Sequence, residues 1–367
     1  GVVHDETWGT VSAVLRIDGH GFPLASTGEQ ESMLDAWGAA LSPCARERSP
    51  VRSVTWQAWA HPSGPEAHEE FLAGLGIKAG SDVDAATADY LALVDQQAPV
   101  TVAHDVLVTV TVDERRVRAR RSSTRRTDTA IEALLDEIRT LTDRMEAGGI
   151  TVTGPLAAIE LTGAARVRSD PGRAAQMATL TKSLAAAAQR GPLAWGPMVV
   201  EPEWTQCRVD GTFHRTYRVA TWPQLPVGTD WMASLLTGTT AIRTVTVVME
   251  PVPLGHAARA ADREVMAREA DADMREERGF RTTARDRKRL DEVKAREREL
   301  AEGHAEFRFV GLVDVCGTDL DALDDACADV EQAAAQSLID LRPLDARHDL
   351  GWAASLPVGR GLRPRRL

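Results

Sequence analysis

The chain has 367 residues, 43% of them hydrophobic, and 54 acidic against 43 basic side chains give a formal net charge of -11. That length can bury a substantial core in two or three domains, the acidity argues against general nucleic-acid binding, which draws its affinity from neutralising phosphates, and no apolar run approaches the roughly 20 residues of a membrane span. Cys44, Cys207, Cys316 and Cys327 show no CxxC spacing, so free buried thiols in a reducing compartment are expected rather than a staple or a zinc site. The opening Gly1-Val2-Val3-His4-Asp5-Glu6 has neither the basic nor the apolar region of a signal peptide and reads as the start of a fragment.

In chain order, alternation and β-branched content predict a first strand over Val11 to Ile17, broken by Gly19, Gly21 and Pro23. A helix over Glu29 to Arg46 follows, then a strand from Val51 to Ala60, ended by Pro62, Gly64 and Pro65. An amphipathic stretch to about Leu75 and a new helix near Ser81-Asp82, with Ser81 as N-cap, make the next connection a helical hairpin. Val106 to Asp113 is the third strand, followed by an amphipathic helix and the short strand Ile150-Thr151-Val152. Ala164 to Arg190 reads as polar linker and then helix, opened by Ser169-Asp170-Pro171. Pro192 to Glu203 runs extended into a second unit.

That second unit repeats the first. Val51-Arg52-Ser53-Val54-Thr55 returns as Ile242-Arg243-Thr244-Val245-Thr246, and Pro253 and Gly255 stand at the same offsets from Ile242 as Pro62 and Gly64 from Val51. Arg215 to Thr221 answers Val11 to Ile17, a shorter helix at Asp230 to Leu236 answers the first helix, Phe307 to Asp314 answers Val106 to Asp113, and Ile339-Asp340-Leu341 answers Ile150 to Val152. Agreement over this length suggests duplication. The expected fold is α+β: two similar β-α-β-α(α)-β-α-β units, each a mainly antiparallel sheet with helices packed on one face. Boundaries fall at 1–163 for the first unit, 164–196 for a helical linker, 197–345 for the second unit with a helical hairpin at 256–302, and 346–367 for a C-terminal tail.

Two surfaces stand out by charge. In the long connection from His256 to Glu302, Ala261 to Arg278 and Thr283 to Leu300 are dominated by Arg, Glu, Asp and Ala, with Gly279-Phe280 as the corner and a thin stripe of Val265, Met266, Met274, Leu290, Val293 and Leu300. It reads either as a solvated arm packed on itself or as an arm reaching a partner through Arg285, Arg287, Lys288, Arg289, Lys294 and Arg296. The second surface is the run Arg115, Arg116, Arg118, Arg120, Arg121, Arg125 and Arg126, directly after the third strand. A solvated loop, a contact with anionic lipid headgroups and a contact with the phosphate of nucleic acid or nucleotide all fit it. The tail arginines Arg360, Arg363, Arg365 and Arg366 invite the same readings.

Catalytic signatures are absent. There is no G-x-x-x-x-G-K-[ST] loop to hold triphosphate and magnesium, no dinucleotide fingerprint around Gly19-His20-Gly21 or Gly359-Arg360-Gly361, and no G-x-S-x-G or H-E-x-x-H. His61 and His68 with Glu66, Glu69 and Glu70 could ligate a metal but read more simply as surface residues near a turn. Asp314, Asp319, Asp321, Asp324 and Asp325 read as acids at the start of a helix, where they favour its positive end. Trp56 and Trp59, three apart on a strand, face opposite sides of the sheet. No cofactor, metal or catalytic residue is assigned.

Several stretches resemble a family of actinobacterial conjugative-element proteins whose cytoplasmic region is similar to the amino-terminal domain of type IV secretion traffic ATPases. They are Trp8-Gly9-Thr10 with Leu15-Arg16, Gly279-Phe280-Arg281 through Arg287, Arg296 to Phe309 with its E-L-A-E-G-H-A-E-F-R-F core, and Leu356 to Leu362. The resemblance implies a non-catalytic assembly module on the cytoplasmic side of the cell membrane, docking beside a separate hexameric ATPase and membrane components of a transfer machine. No catalytic residue carries over. Two other readings remain: an enzyme with its site in the cleft between the units, and a nucleic-acid-binding domain using 115–126.

Overall fold

In the computed structural model of the chain, the strands of the described residues join one antiparallel sheet of 11. The structure describes residues 1–18, 21–62, 72, 74, 85–97, 102–117, 126–174, 196–277 and 284–361. The first half comprises β1 (Val3–Asp5), β2 (Thr10–Asp18), α1 (Thr27–Leu41), β3 (Val51–Pro62), α2 (Ala85–Gln97), β4 (Val102–Asp113), α3 (Arg126–Ala147) and β5 (Thr151–Pro155). After α4 (Ala158–Ser169) come β6 (Val200–Pro202), β7 (Cys207–Val209), β8 (Thr212–Thr221), α5 (Ala233–Thr237) and β9 (Arg243–Val252). The chain continues through α6 (Leu254–Glu277), α7 (Ala284–Ala301), β10 (Glu306–Gly317), α8 (Leu320–Gln336), β11 (Asp340–Pro343) and α9 (His348–Ala354). Among the described residues no helix is long and apolar enough to cross a membrane.

Each half has the strand order of a split β-α-β unit: β5-β2-β4-β3 in the first and β11-β8-β10-β9 in the second. The two units do not stand as separate sheets. β3 and β9 pair antiparallel from Val54↔Met249 to Ala60↔Arg243, so the halves share one hydrogen-bonded surface. Trp56 lies opposite Val247, its own counterpart when Val51 is matched with Ile242, and a pseudo-twofold axis therefore passes between these two residues. The ladders also correct one sequence match. Val110 lies opposite Val54 and Val313 opposite Val245, so Val110 corresponds to Val313, two residues beyond the match of Val106 with Phe307; an even slip keeps every side chain on its face.

One face carries the main helical layer. Val11, Ala13, Leu15, Val108, Val110 and Val112 point from the first half into a core completed by Leu134, Ile138, Leu141 and Met145 of α3. Tyr217, Val245, Val313 and Val315 do the same in the second half beneath Leu323 and Val330 of α8 and Leu235 of α5. Trp56 packs against both cores. Ser26 begins α1 with a capping box to Glu29, and Pro43 in the turn Ser42–Ala45 ends it, so this helix is shorter than the predicted Glu29 to Arg46.

The opposite face has its own smaller cover. Leu161 and Ala164 of α4 pack on Val14 and Leu107, and Trp352 of α9 packs with Leu356 on Cys207 and Val209. This layer differs from the expected single helical face, and α4 runs through the stretch read as the start of a polar linker. Its Arg166, Arg168 and Ser169 are buried, so a helix that looks solvated in composition is an inner element. From α9 the chain crosses the same face toward the first half: the Gln57 side-chain amide donates to the Ser355 carbonyl at 2.8 Å, and Gly359, at φ +73°, lies so close to Ser12 and Thr111 that a Cβ there would sit 2.2 Å from the Ser12 hydroxyl oxygen.

Candidate functional site

The arm is a helical hairpin, as its charge pattern predicts, rooted by fully buried Ala257 and Ala261 at the start of α6 and by Val293 in α7. Its proposed partner-facing cations divide into two groups. Lys294 pairs with Glu269 across the hairpin at 2.7 Å, and Arg296 pairs with Glu264 of α6 at 3.0 Å and Glu306 at the start of β10 at 2.8 Å. These two tie the arm to itself and to the sheet. Lys288 is exposed and, among the described residues, pairs with Glu292 one turn on at 3.8 Å. The Arg285, Arg287 and Arg289 side chains, and the corner Gly279-Phe280, lie outside the described residues.

Of the arginine run, Arg116 is tied down, its guanidinium donating to the Val51 carbonyl at 2.9 Å. Arg115 is exposed beyond the end of β4, and Arg126 opens α3. Arg118, Arg120, Arg121 and Arg125 lie outside the described residues, as do His68, Glu66, Glu69 and Glu70. His61 stacks on Trp59 with ring centroids 3.9 Å apart, while Trp59 in turn lies under the Arg168 guanidinium at 4.8 Å. Trp56 and Trp59 do face opposite sides of the sheet. Burial opposes ionisation of Asp105, but Arg168 and Arg16 outweigh it and hold its carboxyl below the usual range; their bonds to it are each 2.9 Å.

The acids read as one helix-start group separate in the structure. Asp319 caps α8, accepting from the Ala322 N–H at 2.9 Å, Asp321 lies in the first turn, and Asp324 pairs with Arg215 at 2.8 Å. Asp314 is instead buried in the middle of β10. One of its oxygens faces His214 Nδ1 at 2.9 Å and the other accepts from the Thr216 hydroxyl at 2.7 Å. His214 Nε2 faces the Ser169 carbonyl at 3.0 Å; a carbonyl can only accept, so this nitrogen carries a proton. A carboxylate beside an imidazole resembles acid–base machinery, yet both imidazole nitrogens are occupied and His214 is fully buried. The network fastens the end of α4 to the second half, assisted by Arg166 and Asp210 at 2.7 Å. Among the described residues no group of three or more His, Cys, Asp or Glu is placed to hold a metal ion.

His348 adjoins this network, and its own contacts fix which ring nitrogen is bare. The Thr216 N–H donates to its Nδ1 at 3.1 Å, which requires that nitrogen to be unprotonated. Burial lowers its pKa below the ordinary histidine value of 6.5. The unfolded chain therefore binds the extra proton, and stability falls as the pH drops through 6.5, by at most about 1.4 kcal/mol per pH unit for one proton. His348→Asn keeps an acceptor and cannot titrate there, so its urea midpoint is expected to fall less than that of the unaltered chain between pH 7.5 and 5.5. Equal losses would remove His348 as a source of acid sensitivity.

Between the halves, β3 and β9 close the sheet into one surface. A surface dish does lie at the seam. It encloses about 610 Å³ and is lined by Val102 and His104 at the start of β4, Thr237 to Thr240 after α5, and Asp329, Gln332, Ala333 and Gln336 of α8. Arg243, almost fully buried, holds the same loop from below: Nε donates to the Leu235 carbonyl at 2.8 Å, Nη1 to Thr239 and Ala241 at 2.9 and 2.7 Å, and Nη2 to Leu236. Burial lowers this guanidinium to about 10. Sequence reasoning passed over both His104 and Arg243, although the second is the one charged residue of the repeated pentapeptide Ile242 to Thr246. Compared with known proteins, the chain matches no family model, and no curated protein resembles it significantly.

Proposed function

We propose that this chain is a non-catalytic assembly module of a membrane-associated transfer machine of the conjugative, type IV secretion-like kind, standing on the cytoplasmic side and docking beside a separate hexameric ATPase through the α6–α7 arm. The observation that carries the reading is how the arm is built. It fills the connection between β9 and β10 with two long helices packed on each other, α6 of 24 residues and α7 of 18. Its root is immobilised by buried alanines and by the Arg296 bridge, whereas Met266 and Met274 on α6 are exposed. A rigid root with apolar and charged groups presented farther out suits capture of a partner surface, where exposed methionines adapt to irregular contacts. The sealed His214–Asp314 pair supports a structural reading of the most enzyme-like constellation in the chain.

Co-elution with the hexameric ATPase of such a machine at physiological salt tests the proposal. The intact chain is expected to co-elute, and a version with 256–302 replaced by a short Gly-Ser turn is expected to be lost from the complex. Lys288→Glu, on an exposed position, should weaken the complex while leaving the melting temperature unchanged. Equal co-elution of the intact and armless chains would overturn the role of the arm, and failure of both would remove the machine as the setting.

A further inference from the structure

We infer that the seam dish over Arg243 is a binding site for a small ligand carrying an oxyanion, phosphoryl or carboxylate, together with a hydroxyl or ammonium group. The first argument is symmetry. His104 lies opposite Ala60, which lies opposite Arg243; across the pseudo-twofold axis the corresponding positions are Phe307, Pro251 and Arg52. In that mirrored place Phe307 is packed against the hydrophobic core of the first half, and Arg52 has a carboxylate, Asp113, at 4.0 Å and the Trp8 ring at 5.3 Å. At the dish the plug is replaced by an exposed histidine and an open volume. The two halves share a backbone plan and differ here in chemistry.

The second argument is the direction of the loop dipoles. Arg243 has no carboxylate partner among the described residues, and its four donor contacts draw backbone carbonyls downward toward the guanidinium. In a trans peptide the carbonyl and the following N–H point opposite ways, so with the Thr239 carbonyl held by Arg243 the Thr240 N–H points away from the cation, and Thr240 is among the residues that line the dish. An outward N–H above a buried positive charge favours an anion, as in other backbone anion sites. Gln332 and Gln336, one turn apart on α8, offer neutral donors from the opposite wall. Asp329 on that wall supplies a negative pole, which a hydroxyl or ammonium of the ligand would meet. Partial desolvation of its ring and then the charge of Arg243 lower the pKa of His104 below the ordinary 6.5, which favours the neutral ring at pH 7, able to donate or accept.

Inorganic phosphate is the probe, titrated at pH 7 and followed by the imidazole NMR signal of His104, identified by its loss in His104→Gln. A saturable shift of that signal is expected. Asp329→Asn, which removes the repelling charge, should tighten binding, and Gln332→Glu, which adds one, should weaken it, each about five-fold. Both lie on the exposed side of α8, so circular dichroism and melting temperature should match the unaltered chain. Acetate in place of phosphate tells the carboxylate source from the phosphoryl one, and saturation by either supports the site. No saturable shift with either anion overturns the inference, as does saturation that neither substitution moves.

Discussion

Asp314→Ala is expected to cost about 2–3 kcal/mol of stability, the loss that follows when buried polar side chains are left without their hydrogen-bond partner. The substitution leaves His214 Nδ1 without the oxygen it faces and cuts the Thr216 hydroxyl back to its longer contact with the His348 carbonyl at 3.2 Å. Neither can turn to water, since both residues are fully buried. The damage would also spread along the chain. His214 holds the Ser169 carbonyl at the end of α4, and α4 in turn holds Asp105 through Arg168, so one carboxylate connects the second half to the far side of the first. Urea unfolding followed by circular dichroism gives the number. Asp314→Asn retains an acceptor and should lose less; a cost under about 1 kcal/mol for the alanine variant would show that the network is replaceable.

Arg243→Met is the second large effect, expected at about 3–5 kcal/mol. Methionine fills much of the volume but offers no donor, and the carbonyls of Leu235, Leu236, Thr239 and Ala241 lose the group that collects them. Two of these end α5, where a cation also complements the negative end of the helix. Arg243→Lys keeps the charge without the planar fork and should recover only part of the loss. Hydrogen exchange separates this variant from a general destabilisation: protection should fall first around 235–242, ahead of the β3–β4 ladder. Uniform loss of protection would contradict a bracing role.

The strands were legible because alternation of β-branched and polar residues is strong in Val51 to Ala60, Val106 to Val112 and Thr244 to Met249, and because the repeat fixed which strand answers which. The joining of the halves was not, since nothing local in β3 or β9 says whether its outer edge meets solvent or another strand; only the burial of both faces hints at it. α4 was hidden for a different reason. Its arginines read as solvent-facing, and their burial depends on Asp105 and Asp210, distant in sequence. Asp314 was misplaced because an acid close before a helix has a ready local explanation in the helix dipole, whereas its real partner lies 100 positions away. The arm, whose pattern is local, was read correctly as a helical hairpin, but the split of its cations between internal bridges and exposed positions needed the fold.

The pairing of β3 with β9 has a consequence for how the protein is made. When β3 leaves the ribosome its neighbour β9, beginning at Arg243, has still to be synthesised, a wait of roughly ten to forty seconds at ordinary translation rates. Through that interval the nascent first half exposes an open strand edge with Trp56 at its centre, and the most complementary surface available is the same edge on another nascent chain. Chains growing side by side on one message would thus meet through a true twofold in place of the internal one, and arrival of the second half competes with that pairing by covering the edge from within the chain.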